Sequence, residues 1–584
     1  MLKKILDIFQ IFNFHQKLQL FFISLFSFIS AIIEIFTLYT LYLTIKLINT
    51  SDSSPENNFL IKSIKFYFDP LDRFDLILLM FKFLVVVFFF KLIFLIFMYF
   101  LQFKFSNNLL VYCTNKIFKT YINNDYIFHI NSDIPKLIKN IQSEVNIFCV
   151  GVLQQFTLFF SEICSLVLII SLLILTDVNI FLISLFVVFF FGLIFFLVTT
   201  NIFKQHGIIR QNLAGSHLKL IVESLRGILD VKIFNAENYI FSKMNQSIKI
   251  LAKTNVITTT LQQLPKLSFE FIAVIILSLY FILNLNDQAQ ISSEQLSSTA
   301  LFAIALFKII PSISRILNCS QLIRYNYPAA KLICEELKSS KIDNSSSSSL
   351  LNKKIKINKK FFIHDSIELR NIKYGYSLKE KTVFENLNLK IYKNECIGIF
   401  GESGSGKSTL VNLISGLIKP EEGEVLIDGN NNFDKKLFMN SIGYIPQKVF
   451  ITNDTLKANI AFGHSDSEID EKKVVLAAKH ANIEEFIQSK KEKYDFLVGD
   501  SGSKISGGQL QRLGIARALY RDPELLIFDE STSSLDFYAE EKFLNLISYF
   551  INKKTIIIIS HKINTLKNCH KIYELKSKNI FQFS

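Results

Sequence analysis

Ile397-Gly398-Ile399-Phe400 runs without a break into Gly401-Glu402-Ser403-Gly404-Ser405-Gly406-Lys407-Ser408-Thr409. The first four residues read as a short buried strand, and Leu410 to Leu417 reads as an apolar helix. Between them lies a complete GxxxxGK[ST] loop. In a strand–loop–helix unit of this kind the glycines let backbone N–H groups wrap phosphates, and Lys407 reaches the β- and γ-phosphates. The Ser408 hydroxyl turns to Mg²⁺, and the positive end of the helix faces the anion. The stretch predicts an α/β P-loop domain that binds ATP and Mg²⁺ through residues 401–409.

Downstream, Leu525-Leu526-Ile527-Phe528-Asp529-Glu530 is an apolar strand ending in two acids. On its own it would read as a strand end with two solvated carboxylates. With the P-loop upstream, Asp529 is expected to hold Mg²⁺ and Glu530 to polarise an attacking water.

Upstream, the composition changes. Half of the 584 residues are hydrophobic and 59 are Phe, whereas Trp is absent. Only 5 of the 20 glycines precede residue 361. Apolar runs at Leu18–Ile48, Leu76–Phe103, Phe148–Leu175, Val178–Thr200, Leu261–Leu285 and Gln295–Leu317 each exceed the roughly 20 residues that a bilayer core requires. The expected architecture is an α-helical six-span transmembrane domain at 1–337, a linker at 338–365 containing Ser345–Ser349, and an α/β nucleotide-binding domain at 366–584. The segment before the first span is short, and its Met1-Leu2-Lys3-Lys4 start is read as retained rather than as a cleaved signal.

The net charge of +14 raises nucleic acid as a partner, but the basic residues have a simpler address. Lys and Arg number 17 in the N-terminus, Lys104–Ile147 and Asn201–Lys266, against 3 in the alternate segments. Residue for residue the first group is nearly twice as basic, which makes it cytoplasmic, with both termini inside. No nucleic acid is expected. Seven cysteines without a CxxC pair argue against a disulfide framework or a zinc site.

Ile505-Ser506-Gly507-Gly508-Gln509-Leu510-Gln511-Arg512 resembles the signature sequence of ABC ATPases, and six spans followed by such a domain resemble the exporter-type half-transporter. The resemblance covers the whole chain and assigns further residues. Tyr376 would stack on adenine, and Gln447 in Ile445-Pro446-Gln447 would be the Q-loop glutamine, serving both catalysis and the metal. Asp536 would be the D-loop acid and His561 the switch histidine near the γ-phosphate. Ser506, Gly507, Gly508 and Gln509 would complete the ATP site of a second subunit, either a copy of this chain or a homologous half-transporter. Ile505 for the commoner Leu, Ser534 for Ala, and the loose Gly499-Asp500-Ser501-Gly502 loop depart from the pattern without removing a catalytic group. Tyr121–Tyr126 and Glu223–Glu237 would carry motion between the ATPase domain and the spans.

For the substrate, ionisable residues within spans are the markers: Glu34, Lys82, Lys91, Glu162, Glu270, Lys308 and Arg315. Lys308 and Arg315, seven apart on one helix face, suit an anionic headgroup. The alternative is snorkelling or an internal pair such as Glu34 with Lys91. Leu264-Pro265-Lys266…Glu270 and Asn453–Gly463 resemble flippases for lipid-linked oligosaccharides. The expected activity is therefore ATP-driven flipping of a lipid-linked oligosaccharide or glycolipid across the inner membrane, among membrane lipids. The other readings are a lipid, drug or peptide exporter and, further off, an ATP-gated channel or sensor. A peptide exporter with an N-terminal cleaving domain is disfavoured by the short segment before span one, and intact Glu530 and His561 argue for turnover.

Overall fold

The computed structural model describes residues 12–49, 73–174, 178–287, 293–347, 360–376, 382–531 and 537–583. They fall into two compact units. One comprises residues 1–124 and 131–350, the other 125–130 and 351–584.

The first unit is helical. Its elements are α1 (Phe14–Asn49), α2 (Arg73–Asn123), α4 (a helical run from Ile134 to Ile174), α5 (Val178–Arg226), α6 (Ile228–Ile233), α7 (Glu237–Asp287) and α8 (Ser293–Ser347); α3 (Tyr126–Asn131), between α2 and α4 in sequence, belongs to the second unit up to residue 130. Among the described residues, four stretches are long and apolar enough to cross a membrane: Phe14–Ile45, Phe74–Asn123, Ile134–Leu172 and Phe190–Arg226. The spans expected at Leu261–Leu285 and Gln295–Leu317 fall on α7 and α8, where side chains 281–307 lie outside the described residues. Along α2, Val85 and Phe90 are 67% and 65% exposed, an apolar surface that only lipid or another helix can satisfy. Inside the unit, Phe269 and Ile272 of α7 meet Ile310 and Leu317 of α8, and Leu43 and Leu47 of α1 meet Leu76 and Met80 of α2.

Two π-helical turns, Asn140–Glu144 and Cys149–Gln154, interrupt α4 where it packs against α5 and α8. Gly151 lies there, and a Cβ on it would stand 2.5 Å from Asn326 Nδ2. On α5, a Cβ on Gly207 would come within 2.1 Å of the Tyr325 carbonyl oxygen. Asn326 bridges the two contacts. Its amide donates to the Gly151 carbonyl at 3.2 Å, and its carbonyl accepts from Arg210 at 3.0 Å.

The second unit contains β1 (Ser366–Tyr374), β2 (Phe384–Tyr392), β3 (Cys396–Gly401), β4 (Glu422–Ile427), β5 (Ile442–Ile445), β6 (Leu525–Asp529), β7 (Thr555–Ile559), β8 (Lys571–Lys576) and β9 (Asn579–Phe583). A three-stranded antiparallel sheet has the order β2-β1-β4, and a six-stranded sheet the order β5-β6-β7-β3-β8-β9. Strands β5, β6, β7, β3 and β8 run parallel. The apolar runs of β3, β6 and β7 are continuous because both faces are covered. Ile397 and Ile399 enter one core with Leu525, Ile527, Ile557 and Ile559. Leu526, Phe528, Ile556 and Ile558 enter the other. The hexapeptide 125–130 belongs to this unit, and its Ile127 packs against the first of these cores.

Candidate functional site

Register sets the site. Ile399 pairs with Ile559, and Ile559 pairs with Asp529, so β3, β7 and β6 end at one level. Just past that row come the 401–409 loop, Ser560-His561 and Glu530. All three lie at the carboxyl edge of the parallel strands, where ligands of open α/β sheets bind.

The loop from β3 enters α9 (Lys407–Ile414) with Gly404 at φ 83° and Gly406 at φ 100°. These are left-handed conformations that favour glycine. A Cβ on Gly404 would meet nothing within 4 Å, whereas one on Gly406 would strike Val383 at 2.8 Å. The loop is thus open at one glycine and tightly seated at the other. Lys407 is buried, and its ammonium donates at 3.0 Å to the carbonyls of both Gly401 and Glu402. Burial lowers its pKa, while Glu530 and Asp529 pull the other way. Such a cation, curled back onto its own loop, is one for which an anion would be a better partner. Glu402, Ser403 and Ser408 are exposed, Ser405 is half-buried, and Thr409 is buried. The Thr409 hydroxyl shares a 3.0 Å hydrogen bond with the hydroxyl of Tyr376.

Glu530 sits at the centre. Its Oε2 accepts from Gln447 Nε2 at 2.7 Å, and its Oε1 lies 2.7 Å from His561 Nε2 and 3.9 Å from Lys407 Nζ. Its backbone φ of 47° is a strained conformation for a glutamate. Asp529 accepts from the Tyr444 hydroxyl at 3.0 Å. Burial pushes the Asp529 carboxyl above the usual range. A divalent cation would offset that desolvation, and with the exposed Ser408 hydroxyl and Gln447 the residues present fit Mg²⁺.

Lys407, Gln447, Asp529, Glu530 and His561 thus converge. Ser506 instead caps α10 (Gly507–Tyr520), accepting from the Gln509 backbone at 3.4 Å while its own N–H donates to the Gln509 side chain at 2.9 Å. Among the described residues no hydrogen bond or ion pair joins residues 506–509 to the P-loop. Asp536 lies outside the described residues. Tyr444, which the sequence reading passed over, carried one available signal: it stands three residues before Gln447 on a strand bound for the same sheet edge.

In the helical unit, Lys308 and Arg315 do not share one site. Lys308 Nζ meets Glu34 Oε1 at 2.6 Å, and Lys91 approaches the same oxygen at 3.6 Å. The Ser165 hydroxyl donates to the other oxygen of Glu34. Arg315 forms a two-pronged pair with Glu162, at 2.6 and 3.0 Å. Seven residues of helix place the two cations on one face, but different carboxylates on α1 and α4 hold them.

Residues 384–533 match the ABC transporter family. The leukotoxin translocation ATP-binding protein LktB of Mannheimia haemolytica is 38% identical over 222 residues, 38% of this chain and 31% of that protein. The leukotoxin export ATP-binding protein LtxB of Aggregatibacter actinomycetemcomitans matches to the same extent, 38% over 222 residues. The match thus spans about a third of the length of these relatives (31%). A solved bacterial Atm1-family ABC exporter with ATP bound superposes with a TM-score of 0.73 at 20% identity, covering 96% of this chain and 94% of that one. At that identity the likeness is one of fold.

Proposed function

We propose that this chain, an ABC transporter ATPase domain fused to an apolar helical domain of ABC-exporter fold, is one half of a dimeric ATP-driven exporter. Its substrate is an amphipathic molecule, a lipid-linked oligosaccharide or glycolipid, moved across the inner membrane. The observation that carries the hydrolytic part is Glu530 clamped between Gln447 and His561 above Lys407. With both oxygens fixed, the carboxylate is aimed to orient a water and take its proton. Lys407 exchanges its loop carbonyls for phosphate oxygens, and Tyr376 offers its ring to adenine. Mg²⁺, held by Ser408, Asp529 and Gln447, would neutralise charge on the phosphates.

Two features support a second subunit. Ser506-Gly507-Gly508-Gln509 opens α10 with N–H groups that, among the described residues, meet no part of the chain's own P-loop, and a helix start attracts anions. In addition, Leu229, Phe234 and Phe241, on and beside α6, are 70%, 76% and 74% exposed, a tip that needs a covering surface. Lys and Arg density supports a cytoplasmic side for this tip and the ATPase domain.

The dimer claim is tested by mixing. Ser506→Arg and Lys407→Ala chains should each fail to close on ATP, and the mixed dimer should recover partial closure because one of its sites keeps both motifs. No recovery, with assembly verified, would mean that the site is built within one chain. A second reading, export of a protein or peptide, is favoured by the relatives named for leukotoxin translocation and export. Turnover in liposomes challenged with lipid-linked glycans, simple lipids and peptides separates the two. Stimulation by peptide alone would replace the lipid reading.

A further inference from the structure

A cavity of about 340 Å³ opens between α7 and α8. That size falls at the lower end of small-ligand pockets, ~300–1,000 Å³. Proline stands at or beside it on both helices, Pro265 within α7 and Pro311 within α8. Each proline lacks the N–H that would bond the carbonyl four residues earlier, which weakens each helix locally beside the cavity.

The side chains around it are of mixed kind. Gln262, Gln263, Lys266 and Glu270 line it from α7, and Ser314 and Asn318 from α8. Ser314 Oγ and Asn318 Oδ1 are buried without a hydrogen-bond partner, which calls for a ligand or water group. Lys266 and Glu270 form no ion pair with any described residue. Arg315 also lines the cavity, but its guanidinium is committed to Glu162.

The geometry points to a headgroup subsite for hydroxyl- and amide-rich sugar units of an amphiphile, with the lipid tail outside the cavity. This deepens the exporter reading and rests on it. Acceptors are at hand in Asn318 Oδ1 and the Glu270 carboxylate. A phosphate, which only accepts, would leave these acceptors unmatched and would face Glu270. Sugar hydroxyls both donate and accept, and so satisfy amides, carboxylate and ammonium together. Beside the polar lining, Leu267, Phe271 and Val274 stand 60%, 68% and 62% exposed at i, i+4 and i+7, one apolar stripe along which a chain can lie.

The protein contains no tryptophan, so Leu267→Trp supplies a single fluorescent reporter next to the cavity. Full-length reporter protein in nanodiscs is titrated with a polyprenyl diphosphate bearing an amino-sugar disaccharide, with the same carrier lacking sugar, and with the free disaccharide. The glycosylated carrier should bind about tenfold more tightly than the bare carrier, and more tightly than the free sugar. Adding Gln263→Ala with Glu270→Gln, both at exposed positions, should remove about that tenfold, as expected for two hydrogen bonds. Equal binding of bare and glycosylated carriers, or an affinity untouched by the double substitution, would overturn the subsite. Turnover is read in parallel. Stimulation by the glycosylated carrier with no effect of the double substitution removes the subsite and leaves the exporter reading. Binding as forecast without stimulation keeps the subsite and removes that reading.

Discussion

Glu530 and Glu34 are carboxylates of similar burial, 17% and 13% exposed, held in opposite ways. Glu34 faces two ammonium groups, Lys308 at 2.6 Å and Lys91 at 3.6 Å, from a regular helix. Glu530 has one ammonium at 3.9 Å, with an amide and an imidazole at 2.7 Å, on a left-handed residue. The first charge is more than balanced by its own chain. The second is fixed at both oxygens by an amide and an imidazole, its ammonium standing further off, and the backbone is strained to hold it there. A carboxylate left poised in this way can act on something that arrives, whereas one saturated with cations holds helices together.

Glu530→Gln should produce the largest effect, a loss of about 10²–10⁴ in ATP turnover with nucleotide affinity retained, since only the water-orienting base is removed. Phosphate release and a binding isotherm measure the two quantities. Near-normal turnover would erase the contrast with Glu34. Lys407→Ala comes next. A charge-assisted contact contributes roughly 1.5–3 kcal/mol, so ATP affinity should fall about 10- to 100-fold. Unchanged affinity would mean that the ammonium never leaves the carbonyls of Gly401 and Glu402.

The membrane side of the comparison is sharpened by two substitutions read as stability in detergent. Glu34→Gln strands Lys91 and Lys308. Breaking a buried pair costs ~3–5 kcal/mol, and the 35% exposure of Lys308 reduces this to about 2–3. Arg315→Gln strands the single carboxylate of Glu162, 13% exposed, and should cost less, about 1–2 kcal/mol, because Arg315 itself is half exposed. An unchanged melting midpoint for Glu34→Gln would reopen a transport role for that carboxylate.

Asp529 gives the smallest expected effect. Burial raises its pKa above that of the unfolded chain, so the folded state binds the proton more tightly. Nucleotide-free stability should therefore fall as pH rises from the ordinary carboxylate range to the raised value, and stay level above it. Asp529→Asn should flatten that segment, and a profile indifferent to the substitution would remove this burial penalty.

The same contrast accounts for what could be read from the amino acids alone. Glu530 was legible because it ends an apolar strand and follows a glycine-rich loop whose spacing leaves few alternatives. Gln447 and His561 were reached through resemblance, and their convergence on both oxygens of Glu530 depends on three strands ending in one register row, which no local pattern encodes. Glu34 was legible as a charge in a span, and its pairing with Lys91 was one of the alternatives weighed. The stronger contact with Lys308 was not, since the partners stand 274 positions apart on helices whose facing sides a uniformly apolar sequence does not mark. The reading of Lys308 and Arg315 as a joint cation site failed for this reason. A shared helix face fixes the direction of two side chains but not what waits opposite each one.

Gly207 beneath Tyr325 and Gly151 beneath Asn326 have a mechanical consequence. There α5 meets the α8 backbone at Tyr325 while α4 closes on the Asn326 side chain, which leaves α8 little room to slide past either helix. A push delivered along α4 must turn α5 and α8 with it, as a splined shaft turns its collar. Such a seam favours the three helices turning as one body, with bending taken up elsewhere along the rods.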